Sequence, residues 1–143
     1  MDWPSLNQQI LMGKVTQVRR IQWADGTSTA LVRLCTKMSH ATPSGFRKGF
    51  DWHEAEISPA ERFIEKAWEG AVVMVRGRSS SFEWTPKGSE VPFNRHVLKA
   101  EGFQVILPST RPKTMPPTIF RNYTREAAET MKEHKHASTT ADE

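Results

Sequence analysis

One segment, SPAERFIEKAWEG at residues 58–70, constrains the fold more than any other. Ser58 suits a helix N-cap, Pro59 the first helical position, Glu61 the far end of a capping box and Gly70 the residue just past a helix end. Phe63, Ile64, Ala67 and Trp68 fall at i, i+1, i+4 and i+5, which gives one apolar stripe. The rest of the chain up to Pro108 is strand-like, so a single helix set among strands is expected.

The flanking segments alternate with the period of a strand. From Leu6 to Arg20, the apolar residues Ile10, Met12, Val15 and Val18 are interrupted by Gly13, which predicts a long strand bent at its glycine. Asp25-Gly26 marks a turn. Residues 28–37, STALVRLCTK, read as a second strand and residues 50–57 as a third. Between them MSHATPSGFRKGF, rich in Ser, Thr, Pro and Gly, is expected to be a flexible loop. After the helix, AVVMVRGRS predicts a buried strand bent near Gly77, SFEWTPKGSEVPF a projecting hairpin, and HVLKAEGFQVIL one or two closing strands. Bent strands in this order predict an all-β protein built as a small closed barrel of five strands, with the helix between the third and fourth.

A chain of 143 residues suits one domain with a modest core. That domain is expected over residues 1–108. From Pro108 the composition changes: PSTRPKTMPPT holds four prolines, so residues 109–143 are expected to be a Pro-rich linker followed by a weakly helical or disordered tail, with Thr124 as a helix cap. The net charge of +4 and pI near 9.5 favour an anionic partner. A single cysteine, Cys35, excludes an intramolecular disulfide and a cysteine-based zinc site within one chain. Apolar runs stay far below a membrane span, so no membrane association is expected.

FDWHEAEIS, residues 50–58, offers the densest set of reactive side chains. On a strand, Trp52, Glu54 and Glu56 share one face and His53 points to the other. Only two carboxylates therefore converge, short of the three ligands of a catalytic metal site. His40, His96, His134 and His136 add no useful spacing. Neither a Ser/His/Asp signature nor a P-loop nor a dinucleotide glycine motif occurs. No catalytic residue, metal or cofactor is expected.

Binding of a single strand requires rings for base stacking with cations beside them for the phosphates. Trp52 and Trp84, with Phe50 and Phe82, are the candidate rings; His40, Arg33, Lys37, Arg47, Lys48, Arg76, Arg78 and Lys87 are the candidate polar and cationic contacts. Trp68 belongs to the helix stripe and is expected in the core.

These segments, read together, resemble the bacterial and organellar single-stranded DNA-binding proteins, an OB-fold family. The resemblance is carried by NQQILMGKVTQVRRI, ADGTSTALVRLCT, FDWHEAEIS, PAERFIEKAWEGAVVMVRGRSSSFEWTPKGSE and HVLKAEGFQVI, in register from about Asn7 to Leu107. It implies that Trp52 and Trp84 stack on bases, and that the protein assembles as a tetramer or dimer. His40 stands where members often have tryptophan, Ser58 where they often have a stacking phenylalanine, and Glu54 and Glu56 where they usually carry basic or apolar residues. Bacterial members usually end in an acidic run closing on Pro-Phe, where this sequence has ASTTADE.

The expected function is sequence-tolerant binding of single-stranded DNA, with RNA as an alternative ligand, in replication, recombination or repair. The expected place is the bacterial cytoplasm or nucleoid, including phage or plasmid origin, or the mitochondrial matrix. The alternative is an OB-fold assembly subunit of a primosome or an organellar RNA-processing complex, with a protein partner held through residues 109–143.

Overall fold

The computed structural model of the chain describes residues 3–85 and 87–130, leaving aside the side chains of Phe82, Glu83, Trp84 and Phe93. Six strands are described: β1 (Gln9–Gln22), β2 (Ser28–Thr42), β3 (Gly45–Ile57), β4 (Val72–Trp84), β5 (Phe93–Leu107) and the short β6 (Thr118–Phe120). The helix α1 (Ala60–Ile64) lies between β3 and β4. Strands run in the order β2-β3-β5-β4-β1, and β1 pairs again with β2, so five strands close into a barrel. β6 adds to the outer side of β1, in parallel.

Closure depends on one strand serving two partners. Residues Gln9–Lys14 of β1 pair with β4, and Lys14–Gln22 pair with β2. The exchange falls at Gly13, where a Cβ would lie 2.5 Å from the Cys35 carbonyl oxygen. Gly77 plays the same part at the β4–β5 bulge, because a Cβ there would run into the Lys99 carbonyl. Inside the barrel Val15, Val18, Val32, Leu34, Ala55, Ile57, Val73, Val75 and Leu98 are buried. Phe63 of α1 plugs one end, its ring 5.1 Å from that of Phe103.

The helix is shorter than its punctuation predicts, and its cap is different. Ser58 does not form the capping box: its hydroxyl is engaged with Thr29 Oγ1 at 2.7 Å and accepts from Arg125 at 3.2 Å. The Ala60 amide donates instead to Ser28 Oγ at 3.1 Å, a cap supplied by β2. Glu61 takes Arg20 Nε at 2.7 Å and the Ser28 hydroxyl at 2.6 Å. Beyond Ile64 the chain continues in turns, and the Gly70 amide donates to Val15 at 2.9 Å. Trp68 is not a core residue. It is half-buried, with its indole Nε1 donating to the Arg111 carbonyl at 2.8 Å and Lys113 over its ring.

Residues 38–50 are not a loop. β2 and β3 stay paired from Ala30↔Ile57 to Thr42↔Gly45 without a break, turning at Pro43-Ser44. Proline followed by serine at the centre of a tight turn suits this closure, and Thr42 Oγ1 donates to the Gly45 carbonyl at 2.6 Å. Residues 36–42 and 45–51 pair only with each other and form a ribbon that leaves the barrel. A second ribbon is made by β4 and β5, which pair out to Trp84↔Phe93 around a turn over residues 85–92.

The stretch expected to act as a linker is extended but held to the barrel. Ser109 Oγ donates to the Glu69 carbonyl at 2.6 Å, and the Arg20 amide to that of Pro117 at 2.9 Å. Tyr123 packs against Trp23, with ring centroids 6.1 Å apart. Helical residues 125–130 follow, with the Ala127 amide donating to Thr124 Oγ1 at 3.1 Å. Among the described residues no helix is long and apolar enough to cross a membrane.

Candidate nucleic-acid interface

In an antiparallel pair, residues directly opposite each other lie on the same face of the sheet. The β2–β3 register therefore sorts the candidate residues. Arg33↔Glu54, Cys35↔Trp52, Lys37↔Phe50, Ser39↔Lys48 and Ala41↔Phe46 make one face. Leu34↔His53, Thr36↔Asp51, Met38↔Gly49 and His40↔Arg47 make the other, which becomes the barrel interior at its Leu34 end.

The first face is a row of rings with cations between them. Phe46, Phe50 and Trp52 are 79%, 61% and 53% exposed, so they contribute little to the core. Residues two apart on a strand are separated by about 6.6–6.8 Å, so Phe50 and Trp52 stand as adjacent steps. Lys48 lies between Phe46 and Phe50, and Lys37 lies opposite Phe50. The Arg33 guanidinium carbon sits 4.6 Å from the centre of the Trp52 ring, a cation–π contact that steadies the half-exposed indole. Such a row suits a chain of unstacked bases carrying one phosphate per step.

The carboxylates on this face are accounted for. Glu54 binds Arg95, whose Nε donates to it at 3.1 Å, and Glu56 lies 3.6 Å from Arg125. Both acids thereby offer a phosphate little net repulsion. Neither is held with His53, whose Nε2 is 2.9 Å from Thr36 Oγ1 on the other face. The cluster FDWHEAEIS is thus divided between two faces and two arginines.

Five of the expected contacts are gathered here: Trp52, Phe50, Arg33, Lys37 and Lys48. His40 and Arg47 share the reverse face of the ribbon. Arg76 lies opposite Ile10 and Gly102 on the β1–β4–β5 side of the barrel, and Lys87 lies in the turn between β4 and β5. Arg78 is opposite Lys99, which neighbours Glu56 across β3 and β5. The side chains of Phe82 and Trp84 lie outside the described residues, although their backbone places them on the second ribbon. Phe46 was missed because its segment reads as a loop. Its spacing of four and six from Phe50 and Trp52 was the available signal.

The other end of β3 is covered. The Glu56, Lys99 and Ser58 side chains meet Arg125 and Glu129 of the C-terminal segment, through Arg125–Glu56, Arg125–Ser58 and Lys99–Glu129 contacts. Trp23, a further ring near this end, is half-buried by its contacts with Tyr123 and with Thr29, to which its indole Nε1 donates at 2.9 Å.

The architecture decides the fold class. A single-stranded DNA-binding protein from Plasmodium falciparum, solved in complex with single-stranded DNA, matches 75% of this chain and 98% of its own with a TM-score of 0.59 at 18% identity. The fold is that of the single-stranded DNA-binding proteins. A small single-stranded DNA-binding protein from Streptomyces coelicolor matches 68% of this chain and 92% of its own, with a TM-score of 0.55 at 14% identity. A deletion mutant of that from Thermus aquaticus matches 77% of this chain and 54% of its own, with a TM-score of 0.58 at 20% identity. No protein-family profile and no curated protein matches the chain. The OB barrel is therefore shared with these proteins, while the sequence on it is divergent.

Proposed function

We propose that the protein binds single-stranded DNA without marked sequence preference, by stacking bases on Phe46, Phe50 and Trp52 and holding phosphates with Lys37, Lys48 and Arg33. The observation that carries this reading is the exposed row of three rings on one face of a ribbon, interleaved with cations. Nothing in a core requires it, since a barrel gains no stability from rings facing water. Support comes from the shared fold, one example of which was solved with single-stranded DNA.

At ~1–3 kcal/mol per stacked base, three rings would supply roughly 3–9 kcal/mol before phosphate contacts are added. Every base has a flat face, so stacking tolerates any sequence. The role is binding, with no chemical step, and replication, recombination or repair are the processes in which exposed single strands need such a protein.

Self-assembly is part of the proposal. Ile10 and Met12 of β1 and Leu107 of β5 are exposed apolar residues on the β1–β4–β5 side, away from the ring face. A second copy seated there would bury them and leave both ring faces open.

The test is a fluorescence titration with oligo(dT) and oligo(U) on material whose mass is measured by light scattering. Quenching with micromolar or tighter affinity that weakens with salt is expected. An absence of quenching and of binding to either ligand contradicts the proposal. The second reading, an assembly subunit without a nucleic-acid ligand, is favoured by the same exposed apolar side, and it predicts a stable oligomer that binds neither oligonucleotide.

A further inference from the structure

Beside the ring face, on the side toward β1, lies a shallow depression lined by Gln17, Arg19, Leu31, Arg33 and Glu54. The registers Gln17↔Arg33 and Arg19↔Leu31 put Arg19 and Arg33 on the same outer face as diagonal neighbours. Diagonal neighbours have backbones roughly 7–8 Å apart, within reach of long side chains. Arg33 is also the residue stacked on Trp52.

The charges in this depression do not balance. Its one carboxylate, Glu54, is already engaged by Arg95. Arg19 Nε is buried and has no hydrogen-bond partner among the described residues. Arg20, Arg95 and Arg125, by contrast, each hold a carboxylate. A partly buried guanidinium without an anionic partner is costly unless a ligand supplies one, and a guanidinium fork matches the oxygens of a phosphate.

We propose that Arg19 and Arg33 form a phosphate seat, and that a bound strand leaves Trp52 across β2 toward β1 so that its phosphodiester enters this seat. The inference rests on the strand-binding reading and adds a direction to it: the path turns from the ribbon onto the β1–β2 side of the barrel. Arg19 thereby becomes a binding residue, and Arg33 serves both the ring and the phosphate.

The test compares Arg19→Gln, Arg19→Lys and Trp52→Ala in oligo(dT) binding over a range of salt, using the full chain and checking the fold of each variant by its thermal melt. One lost phosphate contact lowers the slope of log affinity against log salt by about 0.7. Arg19→Gln is expected to lose that amount and several-fold in affinity at low salt. Arg19→Lys is expected to keep the slope, because it keeps the charge. Trp52→Ala is expected to lose affinity with its slope intact. If Arg19→Gln does not fold, Arg33→Gln is read for the same loss of slope.

An unchanged slope in a folded Arg19→Gln, with Trp52→Ala still impaired, overturns the phosphate seat alone. Failure of the unaltered protein to bind overturns the strand-binding reading and the seat with it.

Discussion

The two ends of β3 begin from the same pattern and finish differently. Along Phe46, Lys48, Phe50 and Trp52 the outward residues are rings and a cation, open to solvent, the first three on a ribbon whose strands pair only with each other. Along Glu54 and Glu56 they are acids, each held by an arginine far along the chain, and the C-terminal segment lies over the latter. The strand parity is the same at both ends. What differs is the neighbour: the ribbon has only β2, whereas the barrel end has β5 and residues 124–130. A strand presents a face by local rules, but whether that face stays available is decided by whatever else the chain folds over it.

The largest effect that would break this contrast comes from the rings. Phe50→Ala combined with Trp52→Ala removes two stacking surfaces of ~1–3 kcal/mol each and is expected to weaken oligo(dT) binding roughly 30-fold or more, measured by fluorescence anisotropy of a labelled strand. Their exposure means the thermal melt should move little. An unimpaired double variant would make the open end of β3 as inert as the covered one.

Phe46→Ala alone sharpens the boundary of the open region. A loss of roughly 5- to 140-fold places the strand's path out to the tip of the ribbon, while no loss ends it at Phe50.

The covered end is expected to respond weakly. A chain stopped after Tyr123 loses the Arg125–Glu56 and Lys99–Glu129 ion pairs together and uncovers Glu56 and Lys99, one charge of each sign. Exposed ion pairs are worth ~0–1 kcal/mol, and oligo(dT) affinity should change by no more than about fivefold in the same anisotropy assay. A gain of tens-fold would show that residues 124–130 lie across the strand's path.

The smallest effect concerns the seam between barrel and helix. The Ser28 hydroxyl, and after it the Arg20 guanidinium, hold the Glu61 carboxyl below its ordinary value. Since this carboxylate is favoured by folding, its stabilisation is present above the ordinary carboxylate range and is lost as pH falls through that range and below. Glu61→Gln should lower the melting temperature slightly near neutrality and flatten its acid decline, leaving DNA binding unaltered.

Much of this was legible in the sequence for physical reasons. A two-residue period places Trp52, Glu54 and Glu56 on one face and His53 on the other, whatever the barrel around them. Gly13 and Gly77 announce close backbone approaches, since a Cβ at either would strike a carbonyl of the neighbouring strand. The ribbon was not legible, because Ser39, Thr42, Pro43, Ser44 and Gly45 lack the apolar alternation that a buried face imposes, and a ribbon with both faces wet has no need of it. The capping box does not form because the Ser58 hydroxyl is engaged by Thr29 and Arg125, and Ser28 is in position to receive the Ala60 amide instead. Docking of residues 109–130 rests on the pairing of β6 with β1, on hydrogen bonds such as Ser109 to the Glu69 carbonyl and the Trp68 indole to the Arg111 carbonyl, and on the ion pairs of Arg125 and Glu129, which no composition reveals. The neutralisation of Glu54 and Glu56 likewise required Arg95 and Arg125 to arrive from elsewhere.

The most direct test of the central claim is ultraviolet cross-linking of oligo(dT) to the intact protein, followed by mass spectrometry of the adducted peptides. The account predicts adducts on Phe46, Phe50 and Trp52. Adducts confined to residues 97–107 or 124–130, with none on the ribbon, would contradict it.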